Sequence, residues 1–105
     1  MPTDAEIARF LCERVLGWEP HGDEWLVNGY RHAETPDPLS PYGFVLLLMA
    51  LVADNREVKL LGGYAGFRAL VARASYSDKF DDISNRNPCR ALMLAAAKAY
   101  GMEGV

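Results

Sequence analysis

Cysteine and histidine, the residues most often recruited to metals, disulfides and nucleophilic chemistry, are scarce in this sequence, with two of each. Cys12 and Cys89 stand far apart and neither belongs to a CxxC pair, so both are expected as free buried thiols. His21 and His32 fall in no HxxxH or HExxH arrangement; His21 reads as a loop residue beside Gly22, and His32 as a packing neighbour of Trp25. No serine sits in a GxSxG elbow. Positive charge is also short: 11 Lys and Arg against 14 Asp and Glu leave a net charge of -3, a field that repels phosphate backbones and disfavours nucleic acid as a partner. The opening MPTDAEIARF carries early acids and lacks the apolar core of a signal peptide. The longest apolar run, Phe44 to Ala53, is about half of the ~20 residues that a membrane span needs. A cytoplasmic location without membrane contact is the expectation.

What is present is an ordinary globular composition, 50% apolar and 24% charged, in 105 residues, enough for one α+β domain over residues 1–105. The stretch Pro41 to Asn55, PYGFVLLLMALVADN, is expected to be the centre of the fold. Ser40 and Pro41 supply a helix N-cap and first position, Leu, Met and Ala favour helix over strand, and Asp54-Asn55 ends it with turn chemistry. Because every face of this helix is apolar, it is expected between the sheet and another helix, or against a second subunit.

The remaining elements follow from caps, periods and turns. Thr3 and Glu6 form a capping box ahead of Ile7, Phe10, Leu11 and Val15 at helical spacing. Gly17 is the left-handed stop, and Trp18 folds back onto the helix end. Pro20, His21 and Gly22 break the chain before a hairpin centred on Asn28-Gly29. Its two-residue turn sets Val27 against Tyr30 and Trp25 against His32. Thr35 to Pro41 is a stiff, proline-rich connection. Glu57 to Leu61 reads as a strand and Gly62, Gly63 and Gly66 as a loop. Residues 67–74 fit either helix or strand; the short glycine loop favours the returning strand of a hairpin. Asn87 and Pro88 open a last helix rich in alanine, which stops at Gly101.

Two stretches invite chemistry. Ser75 to Asn87, SYSDKFDDISNRN, has no clear period and reads as a long irregular loop. Its Asp78, Asp81, Asp82, Asn85 and Arg86 are the candidate binding residues. The oxygens suit a hard cation, but the spacing matches no EF-hand, so a solvated acidic loop before a helix is the simpler reading and no metal or cofactor is expected. The GGYAG loop lacks both GxGxxG and the Lys-Ser/Thr of a P-loop, and a hairpin turn accounts for it. The element order and alanine-rich last helix are also similar to double-stranded RNA-binding domains. Those need a basic patch at the start of the last helix, where this chain has Asp81, Asp82, Arg86 and Arg90.

Three groups of residues resemble the phage ABA-sandwich domain family of small phage and prophage proteins. Val15-Leu16-Gly17-Trp18 is similar to that family's Val-Met-Gly-Trp-type helix ending. Trp25 followed by Asn28-Gly29 is similar to its Trp and turn. Asn87-Pro88-Cys89-Arg90-Ala91-Leu92 through Ala96, Lys98 and Ala99 resembles its Pro-Leu-Ala-Ile-Cys-Arg-Ala-Ala-Leu closing helix. The chain departs from the family in the connection at 35–41 and in the length of the 75–87 loop. The resemblance implies helices on both faces of a central sheet and a phage or prophage origin, and it brings no catalytic residues.

Together these features lead to an α+β fold in the order α-ββ-α-ββ-α, with an antiparallel sheet of two hairpins. The expected function is that of a non-enzymatic phage-type accessory protein acting through protein contacts, with itself as a homo-oligomer or with a phage or host protein. The competing reading is a small metal- or anion-dependent enzyme or binder using the 75–87 loop.

Overall fold

The computed structural model describes residues 1–105. Helix α1, Asp4–Arg14, opens with the expected capping box: Thr3 Oγ1 accepts from the Glu6 amide at 3.2 Å, and the Thr3 amide donates to Glu6 Oε1 at 3.4 Å. Gly17 closes it at φ 73°, and the Trp18 amide donates to Cys12 O at 3.1 Å. The centroid of the Trp18 ring lies 5.0 Å from that of the His32 imidazole.

The first sheet contains β1 (Glu19–His21), β2 (Glu24–Val27) and β3 (Tyr30–His32) in that order. Asn28 at φ 52° and Gly29 at φ 85° make the tight turn between β2 and β3, and the register is the expected one, Val27 with Tyr30 and Trp25 with His32. Pro20, read from sequence as a break, lies inside β1, paired with Trp25. It is tolerated because β1 is an edge strand, where a missing N–H leaves no ladder bond unmade. Trp25 anchors this sheet to the rest of the chain. The residue is 1% exposed, the Arg9 guanidinium lies 4.9 Å from its ring centroid, and its Nε1 donates to Thr35 Oγ1 at 2.9 Å.

The second sheet contains β4 (Val58–Gly63), β5 (Gly66–Ala72) and β6 (Phe80–Asn85), again antiparallel and in that order. The favoured strand reading of 67–74 holds as far as Ala72, where β5 ends; Arg73 and Ala74 lie beyond the strand. Gly62, Gly63 and Gly66 are strand residues rather than loop, and the turn is only Tyr64-Ala65. The expectation that 75–87 is wholly irregular fails, because β6 occupies 80–85 and pairs with β5 from Phe67–Asn85 to Ala72–Phe80. Its inward positions are Asp81, Ile83 and Asn85, so the alternation is real but mostly polar and leaves no hydrophobic period to read. Each hairpin thus carries a third strand, and the single expected sheet is two.

Helix α2, Pro41–Ala53, has the expected entry, with Ser40 Oγ accepting from the Gly43 amide at 3.0 Å. Gly43 is required there: a Cβ would sit 1.9 Å from the carbonyl oxygen of Asp37, where the proline-rich connection crosses the first turn. The expectation that α2 is covered on every face is overturned. Only Gly43, Leu47 and Leu51 are buried, a single stripe at a four-residue spacing.

The covered helix is α3, Pro88–Ala99, capped by Asn87 Oδ1, which accepts from the amides of Cys89 and Arg90. All residues from Ala91 to Ala97 are buried. The helix packs on β5 and β6 on one side and on α1 and α2 on the other. Alanines at 91, 95, 96 and 97 let these neighbours approach closely, while Leu92, Met93 and Leu94 fill the space between them. The centre of the fold is therefore α3, and not the apolar run at 44–53. Three helices and two three-stranded antiparallel sheets make an α+β fold in which helices pack against sheets. No helix is long and apolar enough to cross a membrane.

Candidate functional site

The five residues singled out around 75–87 do not converge. Asp81 and Asp82 are neighbours in β6 and so point to opposite faces of the sheet. Asp81 is buried and pairs with Arg73 Nε at 3.3 Å. Asp82 is held by both Nε and Nη2 of Arg68 in a fork across the other face. That fork depresses the Asp82 carboxyl and raises the Arg68 guanidinium relative to their ordinary values. Asn85 turns its side-chain oxygen to the Asn87 amide at 3.0 Å, part of the lead-in to α3, and Asp78 and Arg86 are exposed. No group of three or more His, Cys, Asp or Glu is arranged to hold a metal ion. At the start of α3, Arg90 is tied to Asp4 at 2.6 Å, so its charge is shared with an acid.

Both cysteines are free; Cys12 is buried as expected, whereas Cys89 is only half-buried. Burial pushes the Cys12 thiol up to about 12, which keeps it protonated and unreactive at neutral pH.

A polar cluster that the sequence does not advertise lies where α2, β4, β5 and α3 end or begin. Arg56 Nε donates to Asp54 Oδ2 at 2.8 Å, and its Nη1 reaches the carbonyls of Ala72, Arg73 and Ala99 at 3.2, 3.1 and 3.3 Å. The guanidinium covers the ring of Tyr100, whose hydroxyl donates to Asp54 Oδ2 at 2.7 Å. Ser75 Oγ donates to Asp54 O at 2.6 Å. The Tyr100 hydroxyl and the Arg56 guanidinium hold the Asp54 carboxyl below its ordinary range; burial, and then the bond to Asp54, raise the Tyr100 phenol well above its own. Every group here is committed to another protein group, so the cluster is a clamp between elements. Its one sequence signal is Asp54 and Arg56 two residues apart just after a helix end.

One apolar feature left without an internal partner is the outer face of α2; the β4–β5 hairpin also exposes Leu61 and Tyr64, but without a line of apolar side chains along a helix. Tyr42, Val45, Met49 and Val52 are 66%, 49%, 63% and 61% exposed. Their spacing of three, four and three residues places them in one line along the helix, the a and d positions of a heptad. No charged residue occurs from Pro41 to Ala53. A contiguous apolar stripe of this kind on a polar surface marks an interaction site. Beside its first residue opens a cleft of about 520 Å³, to which Trp18, His32, Glu34, Asp37 and Tyr42 contribute. At the other end Arg14 shares a shallow cleft with Ala50 and Ala53. Sequence reasoning found the apolarity of this helix and the option of a second subunit, but gave its outer face to the protein's own core.

No family model and no curated protein matches the chain by sequence. Among solved structures the chain is similar to a phage protein from Bacillus cereus ATCC 14579, with a TM-score of 0.68 over 97% of this chain and 93% of that one, at 12% identity. At that identity the likeness is one of fold: a phage protein of nearly the same extent arranges its chain in the same way.

Proposed function

We propose that this chain is a phage- or prophage-type accessory protein of the ABA-sandwich kind, which works by protein contact through α2 and not by catalysis. The observation that carries this reading is the exposed line of Tyr42, Val45, Met49 and Val52 on a helix without a single charge. Leaving such a face in water forgoes roughly 25 cal/mol for each Å² of apolar surface, which a protein partner would recover. The fold likeness to a phage protein over nearly the whole of both chains supports the phage setting. So does the resemblance of the Trp18, Asn28-Gly29 and Pro88 to Ala99 segments to the ABA-sandwich family.

The test is site-specific photo-crosslinking in the native host, with the photoreactive residue placed at position 49 and, as a control, at exposed Asp78. The contact reading expects discrete protein adducts from position 49 and none from position 78. Equal, diffuse labelling from both positions would sink it.

A further inference from the structure

We infer that the partner of the α2 face is a second copy of this chain, with the two α2 helices packed antiparallel about a two-fold axis near Leu47. The inference rests on the contact reading above and names its occupant.

The spacing of the stripe is self-complementary in one direction only. With the axis at Leu47, Tyr42 of one copy lies opposite Val52 of the other, and Val45 opposite Met49. Each layer then pairs a larger side chain with a smaller one, as interdigitating packing requires. A parallel pair would set Tyr42 on Tyr42, Met49 on Met49 and valine on valine, leaving alternate crowding and gaps. Antiparallel packing also opposes the two helix dipoles.

Charge at the ends of the stripe selects the same direction. Glu34, Asp37 and Tyr42 line one cleft at the amino-terminal end of α2; exposed Arg14 shares its cleft at the carboxy-terminal end with Ala50, Ala53 and Asp54, and the Asp54 carboxylate there is already held by Arg56 and Tyr100, which leaves Arg14 as the free charge. A two-fold axis across α2 brings Arg14 of each copy toward Glu34 and Asp37 of the other, whereas a parallel pair juxtaposes acid with acid and base with base. The stripe and its small neighbours present roughly 500 Å² per copy, so a pair buries about 1,000 Å², the lower bound for a specific interface. The association is therefore expected to be reversible and concentration-dependent.

Sedimentation equilibrium over a dilution series from millimolar to micromolar protein tests this, with circular dichroism confirming that each variant is folded. The native chain should approach twice the monomer mass at the concentrated end. Met49→Glu acts twice in a two-fold pair and should weaken dimerisation by at least about tenfold at unchanged fold. Arg14→Glu should weaken it as well, and Glu34→Arg with Asp37→Arg in the Arg14→Glu background should restore it. A native chain that stays monomeric throughout, or a dimer indifferent to Met49→Glu, overturns the proposal. A dimer lost with Met49→Glu but insensitive to Arg14→Glu overturns the antiparallel arrangement. Failure here is separable from failure of the contact reading: a monomer whose position 49 still crosslinks discretely to another protein sinks only self-pairing, and diffuse labelling sinks both.

Discussion

The guanidinium carbon of Arg56 lies 3.6 Å from the centroid of the Tyr100 ring, while both residues also bind the same carboxylate oxygen of Asp54. This places the start of the second sheet on the last turn of α3 and closes α2 against both. Cation–π stacking, one charge-assisted hydrogen bond to Asp54 and three carbonyl contacts converge on one largely buried side chain, at 13% exposure.

Arg56→Met keeps the apolar stem and removes the guanidinium's bonds, leaving Asp54 with the Tyr100 hydroxyl but no cation and three backbone carbonyls to find water. A loss of about 2 kcal/mol is expected in urea denaturation, because unpaired acceptors cost more than a typical bond contributes. Arg56→Lys should recover less than half of it, since an ammonium cannot reproduce the planar fork. A change under about 0.5 kcal/mol for Arg56→Met would show that the clamp does not hold the elements together.

The same cluster sets both ends of the stability–pH profile. The Asp54 carboxyl is lowered by the Tyr100 hydroxyl and by Arg56, so its stabilisation is complete above the unfolded value near ~4 and is lost as pH falls through the folded one. The Tyr100 phenol is raised by burial and by its bond to Asp54. Above its unfolded value near ~10 the unfolded chain loses that proton first, and stability declines as pH rises further. Asp54→Asn should flatten the acid limb and Tyr100→Phe the alkaline limb in thermal melts across pH. Since the Asp54 side chain is 45% exposed, the acid effect should shrink in high salt.

Core substitutions should rank α3 above the outer part of α2. Leu92 and Leu47 are 0% and 3% exposed, and truncation of either to Ala should cost ~2 to 5 kcal/mol. Leu48 is only half-buried, and Leu48→Ala should cost clearly less, not the same as Leu47→Ala, as full enclosure of α2 would require. Ala95→Leu should be among the most damaging changes, because the position is fully buried where α3 meets its neighbours. Chemical denaturation of the four variants decides the order.

Asp81 and Asp82, adjacent in sequence, should respond differently to the same change. Asp81→Asn weakens a pair with Arg73 on the buried face and should lower the melting temperature. Asp82→Asn loosens a solvent-facing fork to Arg68 and should leave it nearly unchanged, the more so in salt. An enzyme or binder using the 75–87 segment would instead lose function in both variants at unchanged stability, and millimolar divalent ions would raise its melting temperature.

Local signals were legible because their physics is local. The capping box at Thr3 and Glu6, the Asn28-Gly29 turn with its register, the Ser40-Pro41 entry and the Asn87-Pro88 start each involve atoms within a few residues of one another, and each is found where the spacing puts it. Strand β6 was not legible, because its inward residues include Asp81 and Asn85 and its existence depends on the ladder offered by β5. Strand β1 was hidden by Pro20, which only an edge position excuses. The candidate residues of 75–87 were grouped by closeness in sequence, and the pleat of β6 separates them onto two faces.

The sequence by itself determined the helices, the first hairpin and the α+β class, since caps, turns and periodicity act over a few residues. It also showed a helix with apolar residues on every face. Only the tertiary structure decided which helix is enclosed. Small alanines let β5, β6, α1 and α2 close around α3, while Leu47 and Leu51 commit one stripe of α2 to that core and leave Tyr42, Val45, Met49 and Val52 facing outward. Hydrophobicity is a property of residues, but burial is a property of their neighbours, and those neighbours come from distant parts of the chain.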